Sequence, residues 1–203
     1  MRTTMHTRLL PLLACAAILS GCAGSKTVHP TAFDFGPLPT ASAAPAAPVV
    51  PALVVADISG PASLDSQRMQ YRLLYDDAQQ PRPYAYNSWS VTPLQLMTQR
   101  VKARVAQSGV KVLGTQDAAS GLPLLRIEAD EFSQNFSSPQ QSTASISVRA
   151  SLFRAHRLVD QRTFSRSTPA PSADAPGGAQ ALASGTDAIA ADILAWLATL
   201  PQQ

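Results

Sequence analysis

The chain has 203 residues, with 16 Lys and Arg against 13 Asp and Glu, for a net charge of +3. Arg2 and Arg8 lie in an N-terminal segment that reads as a targeting signal; without them 14 basic residues face 13 acidic ones. That near-neutral balance argues against nucleic acid as a partner, which calls for a clustered basic face, and two cysteines provide no disulfide framework.

An apolar run from Leu9 to Leu19 follows the two arginines and closes on Leu19-Ser20-Gly21-Cys22. It is about half the roughly 20 residues that a spanning helix needs. It also carries Pro11 and ends in small residues, so residues 1–21 read as a secretion signal. The closing tetrapeptide resembles the lipobox of bacterial lipoproteins. That resemblance implies that the Cys22 thiolate receives a diacylglyceryl group, that cleavage falls just before it, and that its acyl chains hold the mature chain at a membrane. Ala23 stands where an Asp would resemble an inner-membrane retention signal, which favours the outer membrane, facing the periplasm. Cys15 leaves with the signal, so the mature fold must stand on its core without an internal disulfide.

Residues 22–51 are rich in Ala, Pro, Ser and Thr, with prolines at 30, 37, 39, 45, 48 and 51, and read as a semi-rigid tether. Within it, Phe33-Asp34-Phe35-Gly36-Pro37-Leu38 carries apolar groups that suggest local docking onto the domain expected at residues 52–203. That domain opens on a β-branched run at 53–58, stopped by Ser59-Gly60-Pro61. A hairpin follows: 68–75 alternates Met69, Tyr71, Leu73 and Tyr75 against Gln70, Arg72 and Leu74, 76–83 is turn chemistry, and 84–89 is the returning strand.

Thr92-Pro93 is a helix start, a side-chain oxygen at the cap and proline where its missing donor costs nothing. Leu94, Met97, Val101 and Val105 make one apolar stripe, and Gly109 closes the helix. After a short strand at 110–113, a longer one from Leu124 places Leu125, Ile127 and Ala129 on one face; Phe132 and Phe136 then fall out of phase, which predicts a bulge. Ile146, Val148, Ala150 and Leu152 alternate with Ser147, Arg149 and Ser151 on a half-buried strand. A turn at 155–157 leads to an antiparallel return over 158–164, and 167–178 reads as a Pro/Ser/Ala/Gly loop. The last element is a helix with Ala179, Leu182, Ile189, Ile193, Trp196, Leu197 and Leu200 on one face, stopped by Pro201. Together these predict a single α+β domain, a mostly antiparallel sheet with two main helices packed on one face.

Chemistry is sparse. His6 leaves with the signal, His29 is in the tether and His156 is in a hairpin turn, so no zinc site can be assembled with a cysteine. There is no Gly-x-Ser-x-Gly elbow, no phosphate loop and no His-Glu-x-x-His. Glu128, Asp130 and Glu131 beside Arg126 and Arg149 read as a solvated face with cross-strand charge pairs. Gly177-Gly178 reads as a flexible approach to the last helix rather than an anion site. The chain is therefore expected to be no enzyme and to need no cofactor. Tyr71, Tyr75, Tyr84, Tyr86 and Trp89 crowd the first hairpin, and two readings stand: core packing, or the lining of an apolar pocket or docking face.

In order and spacing, these segments resemble the ABC-type transport auxiliary lipoproteins, which include the paraquat-inducible protein C lipoproteins. The residues carrying the resemblance are Cys22 in its lipobox, the 33–39 segment with Gly36-Pro37-Leu38-Pro39, and Met69-Gln70-Tyr71-Arg72. They continue with Tyr86-Asn87-Ser88-Trp89 before the Pro-started helix, Glu131-Phe132 with Phe136, and the late helix with Trp196. Phe33 and Phe35 depart from the family, which more often shows tyrosine and an aliphatic residue. The resemblance implies an outer-membrane component of a lipid transport system. An MCE-domain protein spanning the periplasm would be its partner, phospholipid the cargo, and a homo-oligomer the assembly. The alternative is a structural or assembly envelope lipoprotein that binds protein or peptidoglycan and moves no lipid.

Overall fold

The computed structural model describes residues 29–40, 50–117 and 121–201. The secretion signal and Cys22 lie outside the described residues. The elements are β1 (Thr31–Phe33), β2 (Ala52–Val55), β3 (Arg68–Leu73), β4 (Asp77–Trp89), α1 (Pro93–Gln107), β5 (Lys111–Leu113), β6 (Leu124–Ser138), β7 (Gln141–Arg154), β8 (Arg157–Pro169) and α2 (Ala175–Thr199).

The cap at Thr92 sets α1. Its side chain accepts from the Gln95 amide at 3.3 Å while Gln95 Oε1 accepts from the Thr92 amide at 3.2 Å, a reciprocal capping box. Met97, Val101 and Val105 are buried as the stripe predicts, and Gly109 ends the helix at φ +88°, a conformation that favours glycine. In α2, Leu182, Ile189, Ile193, Trp196 and Leu197 are buried against the sheet. Among the described residues α2 alone is long and apolar enough to cross a membrane, yet half of its most apolar stretch is buried inside the domain. It is the core helix, packed on β6, β7, β8 and α1.

Among the described residues eight strands form one sheet, organised around β6. One edge of β6 pairs antiparallel with β7, which pairs antiparallel with β8. The other edge is shared: β2 lies parallel to its start (Val55 level with Leu125), and β3 parallel to its end (Tyr71 level with Gln134). β4 pairs antiparallel with β3, and the short outer strands β1 and β5 pair parallel with β4 and β2. The sheet is therefore mixed: its long ladders are antiparallel as expected, but four short parallel pairings were not foreseen. The two on β6 follow from the chain between 52 and 73, which runs beside β6 in the same direction and reaches it only through β4, α1 and β5, the crossover that parallel pairing requires.

The expected bulge is present, a register shift at Asp130 that puts Phe132 and Phe136 back on the buried face. Ala155 and His156 take positive φ at the β7–β8 turn, the twist that a two-residue hairpin demands. Two loop expectations need correction. The turn at 76–83 is confined to its start, because β4 begins at Asp77 and tolerates Pro81 and Pro83 where its outer edge has no ladder partner. The loop at 167–178 shrinks to 170–174, since β8 runs to Pro169 and α2 starts at Ala175.

The folded unit also reaches upstream of residue 52. Phe35 is buried with its ring 6.0 Å from both Trp89 and Phe132, so the 33–38 segment docks as its apolar groups suggest. Arg100, 5% exposed on α1, holds this strap in place. Its guanidinium donates to the carbonyls of Phe35, Gly36 and Pro37, lies 5.7 Å from the Phe35 ring, and has Nε 3.7 Å from Asp187 Oδ1 on α2. Arg104 and Gln107 both donate to the Pro39 carbonyl, at 3.3 and 3.1 Å.

Candidate functional site

The aromatic hairpin divides into an inner and an outer set. Trp89 is 2% exposed and packs edge-on to Phe35 and at 5.8 Å from Phe132, so it is core and presents no surface. The Tyr71 and Tyr84 rings pack tilted at 48° with centroids 4.6 Å apart, and Tyr71 is also edge-on to Phe136. The Tyr84 hydroxyl donates to Gln134 Oε1 at 2.9 Å. Gln134 is fully buried, and its Nε2 donates to Ser142 Oγ at 2.8 Å and to the Asp174 carbonyl at 3.0 Å. Burial first, then the nearby Tyr71 and Asp174, pushes the Tyr84 phenol well above its ordinary value, so it stays a donor to the amide. Tyr84 is thus a peg joining β4 to β6 and to the start of α2. Tyr75, in the hairpin turn, and Tyr86 are 49% and 53% exposed.

This network explains Gly178, which lies in the first turn of α2, not in a flexible approach to it. A Cβ there would stand 2.0 Å from Gln134 Oε1, and one at Gly177 would stand 2.1 Å from the Ser172 carbonyl. The Asp174 side chain accepts from the Gly177 amide at 2.9 Å and caps the helix. Gly178→Ala is expected to destabilise the domain by roughly 1–3 kcal/mol through overpacking; a thermal melt matching the parent would show that the network can yield.

The acidic strand face has no catalytic arrangement among the described residues. Glu128 is ion-paired with Arg149, and Ser133 Oγ lies 2.9 Å from Glu131 Oε1 and 3.2 Å from Asn135 Oδ1. His156 sits in the β7–β8 turn, at the opposite end of β6 from Ser133. No group of three His, Cys, Asp or Glu among the described residues could hold a metal. A cleft of about 320 Å³ has a mixed lining, with Arg72, Asp130 and Glu131 beside Leu64, Tyr71 and Phe132. A larger one, about 510 Å³, is lined by Val54, Leu122, Leu124 and Phe153, with the Arg126 guanidinium 5.1 Å over the Phe153 ring.

The exposed large apolar side chains among the described residues fall into two groups. Leu74 and Tyr75 form the tip of the β3–β4 hairpin, near the Phe136 end of β6, with Tyr86 at the hairpin's base beside Asn87; Leu158 and Val159 follow the β7–β8 turn, at the Leu124 end beside the apolar cleft. Leu158 and Val159 escaped sequence reading because they look like the start of a buried strand. Gln134 was legible: once the bulge resets the phase, it alternates inward between Phe132 and Phe136.

Comparison with known proteins agrees with this architecture. A solved Xanthomonas campestris protein of family DUF330 is 21% identical and superposes with a TM-score of 0.65, over 83% of this chain and 92% of that one. A second solved protein, described as uncharacterized, is 16% identical with a TM-score of 0.63, over 83% and 98%. At these identities the likeness is one of fold. No curated protein matches the chain. Residues 33–194 match the family described as ABC-type transport auxiliary lipoprotein component, and the chain belongs to that family.

Proposed function

We propose that this protein is the outer-membrane, periplasm-facing lipoprotein of an ABC-powered phospholipid transport system, anchored through Cys22 and docking an MCE-domain protein that spans the periplasm. It acts as an adaptor and not an enzyme, and needs no cofactor of its own. The observation that carries this reading is the placement of exposed apolar side chains at opposite ends of one sheet. An adaptor between a bilayer and a partner needs two such ends, and clustered exposed apolar groups mark interaction sites. The apolar cleft at the Leu124 end adds a concave surface, of the kind that suits a partner's side chains or an acyl chain. Tyr71 and Tyr84 support the other end from within, while Tyr86 and the buried Trp89 lie at the base of the hairpin.

The test is a pull-down of the anchored protein from detergent-solubilised envelopes, with mass spectrometry of co-purifying proteins and lipids. The expected result is an MCE-domain partner together with phospholipid beyond the anchor. Recovery of peptidoglycan-associated or secretion proteins only would replace this reading with a structural envelope role. Cys22→Ala is expected to shift the protein wholly to the soluble periplasmic fraction with an unchanged melting temperature, since Cys22 lies outside residues 33–194. A variant still bound to membranes would remove the anchor from the account.

A further inference from the structure

We infer that the tip of the β3–β4 hairpin rests in the headgroup region of the bilayer that holds the anchor, with Leu74 and Tyr75 leading. The inference rests on the anchor reading above and adds which end of the domain faces the membrane.

β4 begins at the hairpin tip and runs away from it, and β1 lies parallel to β4, with Thr31 level with Asn87 and Phe33 with Trp89. The chain therefore enters β1 from the tip side, and the exposed Pro30 and His29 lead back towards that end. β3 rises five residue steps from Arg68, level with Ser88, to Leu73, level with Asp77. That is about 17 Å at 3.4 Å per residue. The longer β4 covers the same rise because its extra residues are taken up in two register shifts, at each of which five steps of β4 oppose two of β3.

The leash is short. Nine residue steps separate Cys22 from Thr31, at most about 32 Å even fully extended. The bilayer surface can therefore stand no more than about 15 Å beyond the tip, and it stands closer at any lesser extension. The Pro/Ala-rich residues 41–49 lie between β1 and β2 and do not lengthen this leash.

The chemistry of the tip suits an interface. Leu74 is 47% and Tyr75 49% exposed, and a tyrosine ring with its hydroxyl fits the boundary between apolar and wet layers. The tip's charges balance: Arg82 pairs with Asp76 at 2.5 Å, Arg72 donates to the carbonyls of Ala78 and Gln79, and Asp77 accepts from the Gln79 amide. Contact then depends on apolar area and persists at high salt.

The experiment uses the full lipidated chain carrying Tyr75→Cys, labelled with a nitrobenzoxadiazole dye and reconstituted into phosphatidylethanolamine/phosphatidylglycerol vesicles. The mature chain has no other free thiol, because Cys22 carries the lipid. Thr163→Cys, exposed on β8, is the reference position. The expected result is a blue-shifted emission at position 75 and severalfold stronger quenching by nitroxide-bearing lipid there than at 163, in low and high salt alike. Equal quenching at the two positions, with the protein still floating with the vesicles, overturns the inference and leaves the anchor standing. A protein that does not float with the vesicles overturns the anchor and the inference together.

Discussion

Trp89→Ala is expected to lower the melting temperature of the domain by about 10 °C, the consequence of losing roughly 3–5 kcal/mol. Trp89 closes β4 and is among the largest fully buried side chains. Its ring is the common neighbour of Phe35 from the strap and Phe132 from the re-phased end of β6. Removing it leaves a cavity where three separate stretches of chain meet, and such a site collapses poorly because none of the three can move alone. Partner capture measured well below the lowered transition should match the parent, since the indole presents no surface. A melting temperature within a degree or two of the parent would show that this junction is not a stabilising core. Reduced capture at full stability would give Trp89 a direct docking role.

What could be read from the sequence was local. The Thr92-Pro93 start of α1, its Gly109 stop and the alternation of β7 depend on neighbours within a few residues, and each stands in the structure. The bulge at Asp130 was also legible, because losing one residue of phase leaves an inequality that can be counted between Ala129 and Phe132. The parts that stayed hidden depend on partners far away in the chain. β1 is three residues long and gains its pairing only from residues 87–89. Arg100 falls on the buried side of α1, where an arginine ordinarily reads as a solvated break in the stripe, and the carbonyls that keep it there lie more than sixty residues upstream. Gly177 and Gly178 look like flexibility in a sequence; against Ser172 and Gln134 they are close packing. The two ends of the sheet could not be separated either, because only the register of β3 on β6 places the aromatic hairpin opposite Leu158 and Val159.

Arg100→Ala is expected to release the strap while the rest of the domain remains folded, at a cost on the order of 3 kcal/mol. Three carbonyls, those of Phe35, Gly36 and Pro37, lose the donor they share. Asp187 is not left alone, because Arg104 Nε remains 2.8 Å away, so the larger penalty of an unpaired buried charge does not apply. Arg100→Lys should fall between the two, since an ammonium lacks the planar fork that serves several carbonyls at once. Hydrogen exchange should report the change first at the Ser90 amide, which donates to the Phe33 carbonyl at 2.7 Å and depends on the strap for protection. The same variant acts on the membrane geometry. With β1 undocked, the leash from Cys22 runs to β2 at Ala52, thirty residue steps instead of nine, and its reach grows from about 32 Å to about 100 Å. A dye at position 75 should then lose most of its quenching by nitroxide lipid although the protein still floats with the vesicles. Exchange at Ser90 that is unchanged would mean that β1 holds without Arg100. Faster exchange with undiminished quenching would mean that the hairpin binds the bilayer by its own apolar area and needs no short leash.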